Sequence, residues 1–169
     1  MKPTHVLMVC LGNICRSPTA QGVFEHRVRQ RGLEHLIVVD SAGTSGWHIG
    51  EPPDPRSSRA ARTRGYDLTS QRGRQVTVAD FQQFDYILAM DEQNLRALQA
   101  LAPKDYPGHL GLFLDFSEQK AYREVPDPYH GGSEGFELVL DLIEDAADGL
   151  LQHILAKRPE VRAQAQKTP

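Results

Sequence analysis

The run Val9-Cys10-Leu11-Gly12-Asn13-Ile14-Cys15-Arg16-Ser17-Pro18 restricts this chain more than any other stretch. It begins where the apolar residues Val6 to Val9 stop, and it closes on Ser-Pro, a helix-start signal. Ser17 is expected at the N-cap and Pro18 at the first helical position, where a missing N–H costs nothing. A strand end, a tight loop and a helix start then aim backbone N–H groups and the positive end of a helix dipole at one point. That geometry makes an anion site. Cys10 opens the loop and Arg16 closes it, with five residues between them.

Those two residues turn an anion site into a reactive one. The thiolate is the nucleophilic form of cysteine, and helix N-termini and nearby cations favour it. The N–H groups of Leu11 to Arg16 and the Ser17 hydroxyl are placed to do this for Cys10. Arg16 offers a planar fork that fits two phosphate oxygens at once, which lysine cannot do. Gly12 permits a tight turn, and Asn13 tolerates a left-handed backbone. A thiolate beneath a cradle for a tetrahedral oxyanion is a phosphoryl-transfer site. A merely structural account, a buried strand-end cysteine beside a solvated arginine, leaves Gly12, Asn13 and Ser-Pro unexplained.

The rest of the chain reads as alternating strands and helices. Thr4 to Cys10 is nearly continuous in apolar residues, as a central parallel strand would be. A helix over 18–31 presents Ala20, Val23, Phe24 and Val28 on one face, and Gly32 suits its C-terminal cap. A strand over 36–41 completes a right-handed βαβ unit with Cys10 at the carboxyl end of its first strand, where open parallel sheets bind ligands. Asp54-Pro55 begins another helix, so Asp54 is expected to be structural. The arginines between Arg56 and Arg74 read as a solvated face. Thr77 to Asp80 resembles a capping box, 84–89 a third strand, and Asp91 caps a helix to about Leu101 with Leu95, Leu98 and Leu101 buried. A strand over 109–114, a long loop over 115–133 and an amphipathic helix over 134–157 follow. The domain is expected to occupy 1–157, and the polar tail 158–169 to be disordered.

Composition narrows the function. At 169 residues the chain fits one domain, and its net charge of −3 argues against a dedicated nucleic-acid binder. Its two cysteines, Cys10 and Cys15, share one loop, so no secreted disulfide framework is expected. The first apolar stretch is too short for a signal peptide, and no stretch is long enough to span a membrane. A soluble, cytoplasmic protein is expected. The seven histidines show no ligand spacing, and neither a Walker lysine motif nor G-x-G-x-x-G is present, so no metal or cofactor is expected.

The loop resembles the signature of the low molecular weight protein tyrosine phosphatases. Asp40-Ser41-Ala42-Gly43-Thr44, Gly65 with Arg74-Gln75, Phe84 to Asp91, and Val125-Pro126-Asp127-Pro128-Tyr129 resemble family blocks in the right order, over roughly residues 4 to 157. The resemblance implies a compact α/β fold around a four-stranded parallel sheet flanked by helices, a flavodoxin-like arrangement. It implies hydrolysis of protein phosphotyrosine and small aryl phosphates through a phosphocysteine intermediate, with inorganic phosphate or vanadate as inhibitors. Cys10 would be the nucleophile, Arg16 the phosphate clamp and Asp127 the general acid and base. Asp127 lies between two prolines that keep it extended, and a dianionic phosphate beside a carboxyl favours its protonated form. Leu11, Trp47 and Tyr129 would wall the substrate slot, and Ser41 would support Asn13. Cys15 would capture an oxidised Cys10 as a disulfide; the plainer alternative is a small apolar residue filling the loop's underside.

Rival functions are weaker. Arsenate reduction on this fold needs downstream cysteines, and none follows Cys15. In the phosphoarginine-hydrolysing branch the resemblance puts threonine at the position of Ile14, whose hydrocarbon suits a phenol ring instead. A non-catalytic phosphoprotein-binding module would not need Cys10, Arg16 and Asp127 together. Two departures from the family stand out. Gln71 occupies the place of a histidine that supports the loop asparagine, and His130 replaces a second tyrosine after Tyr129.

Overall fold

The structure, a computed structural model, describes residues 1–166. Four strands, β1 (Thr4–Cys10), β2 (Ile37–Gly43), β3 (Tyr86–Ala89) and β4 (His109–Leu112), form one parallel sheet in the order β2-β1-β3-β4. The helices are α1 (Arg16–Gln30), α2 (Pro55–Thr63), α3 (Asp80–Gln83), α4 (Glu92–Leu101), α5 (Ser133–Lys157) and α6 (Pro159–Arg162). The unbroken apolar run of β1 is explained by its place in the middle. Val6, Leu7, Met8 and Val9 are completely buried. Val6 and Met8 meet Phe24 of α1 and Ile143 of α5 on one face, while Leu7 and Val9 meet Phe81 and Leu98 on the other. Each such side chain stabilises the fold by about 1.5–3 kcal/mol.

This order makes β1 a topological switch point. The chain leaves β1 for β2 on one side and later returns to β3 on the other, which opens a crevice beyond the carboxyl end of β1. Cys10 is the last residue of that strand.

Several local expectations need correction. α1 begins at Arg16, not Pro18, and Cys15 caps it without a side-chain bond. The Ser17 hydroxyl is drawn instead to Cys10 Sγ (3.0 Å) and to the Asn13 amide (2.8 Å). Pro18 sits within the first turn, where its missing N–H is still free of a helical partner. β2 runs on to Gly43, and β4 stops at Leu112, because Phe113–Phe116 coil into a 3₁₀ turn that buries Phe113 and Leu114. Of the three α4 leucines only Leu98 is fully buried; Leu95 and Leu101 are partly so. The arginines of the basic segment are not all solvated. Arg64 pairs with Glu137, Asp141 and Glu144 of α5, and Arg74 with Asp40 and Asp80.

The expected tail also differs. Pro159 starts α6, Val161 is completely buried against the core, and Gln166 N–H donates to the Arg31 carbonyl at 2.7 Å. One apolar anchor and a few backbone bonds dock residues that composition marks as polar. The remainder of that expectation, 167–169, lies outside the described residues. Among the described residues no helix is long and apolar enough to cross a membrane.

α5 touches the 3₁₀ turn so closely that a Cβ at Gly149 would overlap the carbonyl oxygen of Phe116. Neither side can yield easily, since one is helix backbone and the other a buried turn. Alanine gains about 1 kcal/mol of helix propensity here but brings overpacking that costs more, for a net loss of about 2 kcal/mol. Gly149→Ala is expected to lower Tm by roughly 4–8 °C in a calorimetric scan. An unchanged or higher Tm would mean the two segments are not held in contact.

Candidate active site

The loop between β1 and α1 turns back on itself through Asn13, whose φ of 58° is left-handed. Such a backbone costs about 1–3 kcal/mol in a residue other than glycine. Three hydrogen bonds hold it there. The Asn13 amide donates to Ser17 Oγ (2.8 Å) and Ser41 Oγ (3.0 Å), and its carbonyl oxygen accepts from the Arg74 N–H (3.0 Å). Ser41 in turn donates to Gln21 (2.7 Å) and approaches Gln71 (3.5 Å). Gln71 thus backs Ser41, not Asn13, and its amide donates to the Pro18 carbonyl at 2.9 Å. The end of β2 closes against the loop because Gly43 has no side chain: a Cβ there would sit 2.8 Å from the Leu11 carbonyl oxygen.

Cys10 and Arg16 are both nearly inaccessible, 2% and 3% exposed. Arg16 Nη1 donates to Asp91 Oδ2 (2.7 Å) and to the Val125 carbonyl (3.0 Å). Its Nη2 lies 3.8 Å from Asp127 Oδ2. Burial alone would lower the guanidinium's proton affinity, but Cys10, Asp91 and Asp127 beside it reverse that, and the group is held charged more firmly than usual. Asp91 is a residue that sequence patterning understood only in part. Its Oδ1 caps α4 through the Asn94 N–H (2.7 Å), as expected, while its Oδ2 grips Arg16. The available signal was its place just past the carboxyl end of β3, beside the same crevice as Cys10.

Cys10 and Arg16 open onto a cavity of about 300 Å³. Leu11, Gly12, Ile14 and Cys15 line it together with Trp47 and Tyr129; Asp127, His48 and His130 complete the wall. Trp47 and Tyr129 are exposed, 74% and 40%, which leaves two aromatic faces open to a planar ring. Asp127 Oδ1 accepts from the Tyr129 N–H at 3.1 Å. His48, which sequence reasoning did not single out, is held by Glu51 at 2.9 Å from its Nδ1. Cys15 is buried, and burial pushes its thiol up to about 12, with Asp54 adding and a Ser57 hydrogen bond opposing. It is therefore a neutral thiol at physiological pH.

Three comparisons bear on this arrangement. The family profile described as low molecular weight phosphotyrosine protein phosphatase matches residues 5–160. A Synechocystis sp. relative named for the same phosphatases is 48% identical over 147 residues, covering 86% of this chain and 93% of its own. Among solved structures, YfkJ of Bacillus subtilis superposes with a TM-score of 0.88 at 39% identity, over 94% of this chain and 98% of that one. A Drosophila arginine phosphatase does so with a TM-score of 0.82 at 35% identity, over 91% and 98%.

Proposed function

Since the chain belongs to the low molecular weight phosphotyrosine protein phosphatase family, we propose that it hydrolyses phosphotyrosine in proteins, and small aryl phosphates, through a phosphocysteine formed on Cys10. The observation that carries this reading is the juxtaposition in one cavity of a buried thiol, a clamped guanidinium and a carboxyl. Cys10 Sγ attacks phosphorus in line, and the P–O bond to the phenol breaks. The three equatorial oxygens are held by the loop amides of 11–17 and by the free edge of Arg16, whose other edge is occupied by Asp91 and Val125. Asp127 passes its proton to the departing phenoxide oxygen, then takes one from the water that cleaves the S–P bond. Products are a phenol and inorganic phosphate, and Cys10 returns as thiolate. The Ser17 hydroxyl, 3.0 Å from Sγ, donates to that thiolate between turnovers.

The substrate ring lies between Trp47 and Tyr129 with Ile14 and Leu11 beneath it. A thiolate-dependent cycle suits a reducing compartment, and both cysteines are free, which supports the cytoplasm. Cys15, on the same loop as Cys10, would capture an oxidised Cys10 as a disulfide once its own thiol has lost its proton. Residues 1–157 make up the catalytic unit, with α6 packed onto it.

The likeness to the Drosophila arginine phosphatase favours a second reading, phosphoarginine hydrolysis. A guanidinium leaving group gains from a hydroxyl in the cavity wall, and Ile14 offers none. A preference for phosphotyrosine of at least about 10-fold in kcat/KM is expected, as an apolar contact typically supplies. Assay of phosphotyrosine and phosphoarginine peptides side by side, with vanadate abolishing both activities, is the check. The reverse preference would exchange the two readings, and no turnover of either would leave only binding.

A further inference from the structure

We infer that Arg56 is a positioning residue that holds the proton-donor loop in register with the phosphate loop. The inference rests on the reading of Asp127 as the donor. The loop carrying Asp127 has no regular structure from Ser117 to Gly132, so its pose depends on point attachments. Upstream, Val125 is fixed by its N–H to the Met90 carbonyl (2.8 Å) and by its own carbonyl to Arg16 (3.0 Å). Downstream, Gly131 and Gly132 precede α5 and restrain little. The attachment on that side comes from Arg56.

Arg56 Nη2 donates to the Tyr129 carbonyl at 2.8 Å. Its guanidinium also stacks on two rings, 5.5 Å from the Tyr129 centroid and 4.9 Å from that of Phe136 at the start of α5. The same group meets Asp54 twice, Nε to Oδ1 at 3.1 Å and Nη2 to Oδ2 at 3.0 Å. Asp54 is buried, and its N–H donates to the Ile14 carbonyl of the phosphate loop at 2.8 Å. A continuous path therefore runs from Ile14 through Asp54 and Arg56 to Tyr129, whose N–H holds the Asp127 carboxylate. Arg56 itself is not among the residues that line the cavity. It touches neither substrate nor sulfur and acts through Tyr129 and Asp127. Only a planar fork can meet a carboxylate, a carbonyl and two ring faces together.

A misplaced donor has a signature that general destabilisation lacks. It slows substrates whose phenol leaves poorly and spares those whose phenol leaves well. The test is kcat for aryl phosphates from 2,4-dinitrophenyl to phenyl phosphate, for the unmodified protein, Arg56→Ala, Arg56→Lys, Asp127→Ala and the double variant. Arg56→Ala is expected to lose about 10-fold on phenyl phosphate and less than about 3-fold on the dinitrophenyl ester, a size suited to a misplacement well short of an ångström. Inhibition by inorganic phosphate should stay within about 3-fold, since the phosphate loop keeps its own bonds. Arg56→Lys should fall between, and the double variant should be no slower on phenyl phosphate than Asp127→Ala alone. An equal loss across the series, or losses that multiply with those of Asp127→Ala, would reduce Arg56 to a structural residue. If Arg56→Ala lacks a cooperative melting transition, Arg56→Lys carries the same comparison. A flat response of Asp127→Ala itself would overturn the donor assignment, and the role of Arg56 with it.

Discussion

Cys10→Ser is expected to abolish turnover, with kcat lowered by about 10⁴-fold or more, as when a covalent nucleophile is removed. Serine is nearly isosteric, so the loop should keep its shape. The difference is chemical. A serine hydroxyl is a far weaker acid than a thiol and stays protonated, and its hydrogen-bond partner among the described residues is the hydroxyl of Ser17 at 3.0 Å, which is no base. Oxyanion binding should survive, because the loop backbone and Arg16 are untouched and Arg16 remains tied to Asp91 and Val125. Calorimetric titration with a phosphotyrosine peptide should therefore give an affinity close to that of the parent, while rapid-quench experiments should find no phosphoenzyme. More than one per cent of the parental kcat in this variant would mean another nucleophile.

Asp127→Ala is expected to produce the second largest effect, and a selective one. Loss of a positioned general acid typically costs about 10²–10⁴-fold. For phenyl phosphate or phosphotyrosine, whose phenolate departs reluctantly, kcat should fall by roughly 10²–10³. For 2,4-dinitrophenyl phosphate the leaving group needs no proton, and the first step should be barely slowed. A residual loss there, about 10-fold, is expected from the second step, in which the same carboxylate takes a proton from water. The carboxylate lies 3.8 Å from Arg16 Nη2, so its removal should also weaken the orientation of Arg16 slightly. Measuring kcat across the ester series separates these contributions. Uniform slowing of all esters would remove Asp127 as the acid and leave it as a charge partner of Arg16.

The two roles of Asp91 illustrate why some of the site is hidden from pattern reading. A cap is a relation between neighbours, so Asp91 before a helical run is legible. Its grip on Arg16 joins residues 75 positions apart. That contact exists because β1 and β3 are adjacent and in parallel register, Val9 opposite Ala89, which places the residues following both strands at one edge. The link from Arg56 to Tyr129 spans 73 positions and has the same origin in packing, here of α2 against α5. Ser17 shows the opposite error. Its sequence position fits a helix cap, but the loop offered Cys10 and Asn13 as partners, and the helix begins two residues earlier than that cap would set it. Gln71 shows a third case: an amide in place of the family's histidine reaches Ser41 and Pro18, one bond removed from Asn13.

What the sequence determined by itself was most of what fits within a few turns of chain. The apolar run into Cys10, the loop with its left-handed Asn13, the arginine at its end and the βαβ connection depend on local backbone preference and hydrophobic spacing, and both act between near neighbours. The tertiary structure alone decided which distant groups meet: Asp91 and Val125 on Arg16, Arg74 and Ser41 on Asn13, Arg56 on the donor loop, and α6 on α5. Those meetings follow from strand order and helix packing. Such choices are set by the burial of whole faces at once, and no single segment encodes them.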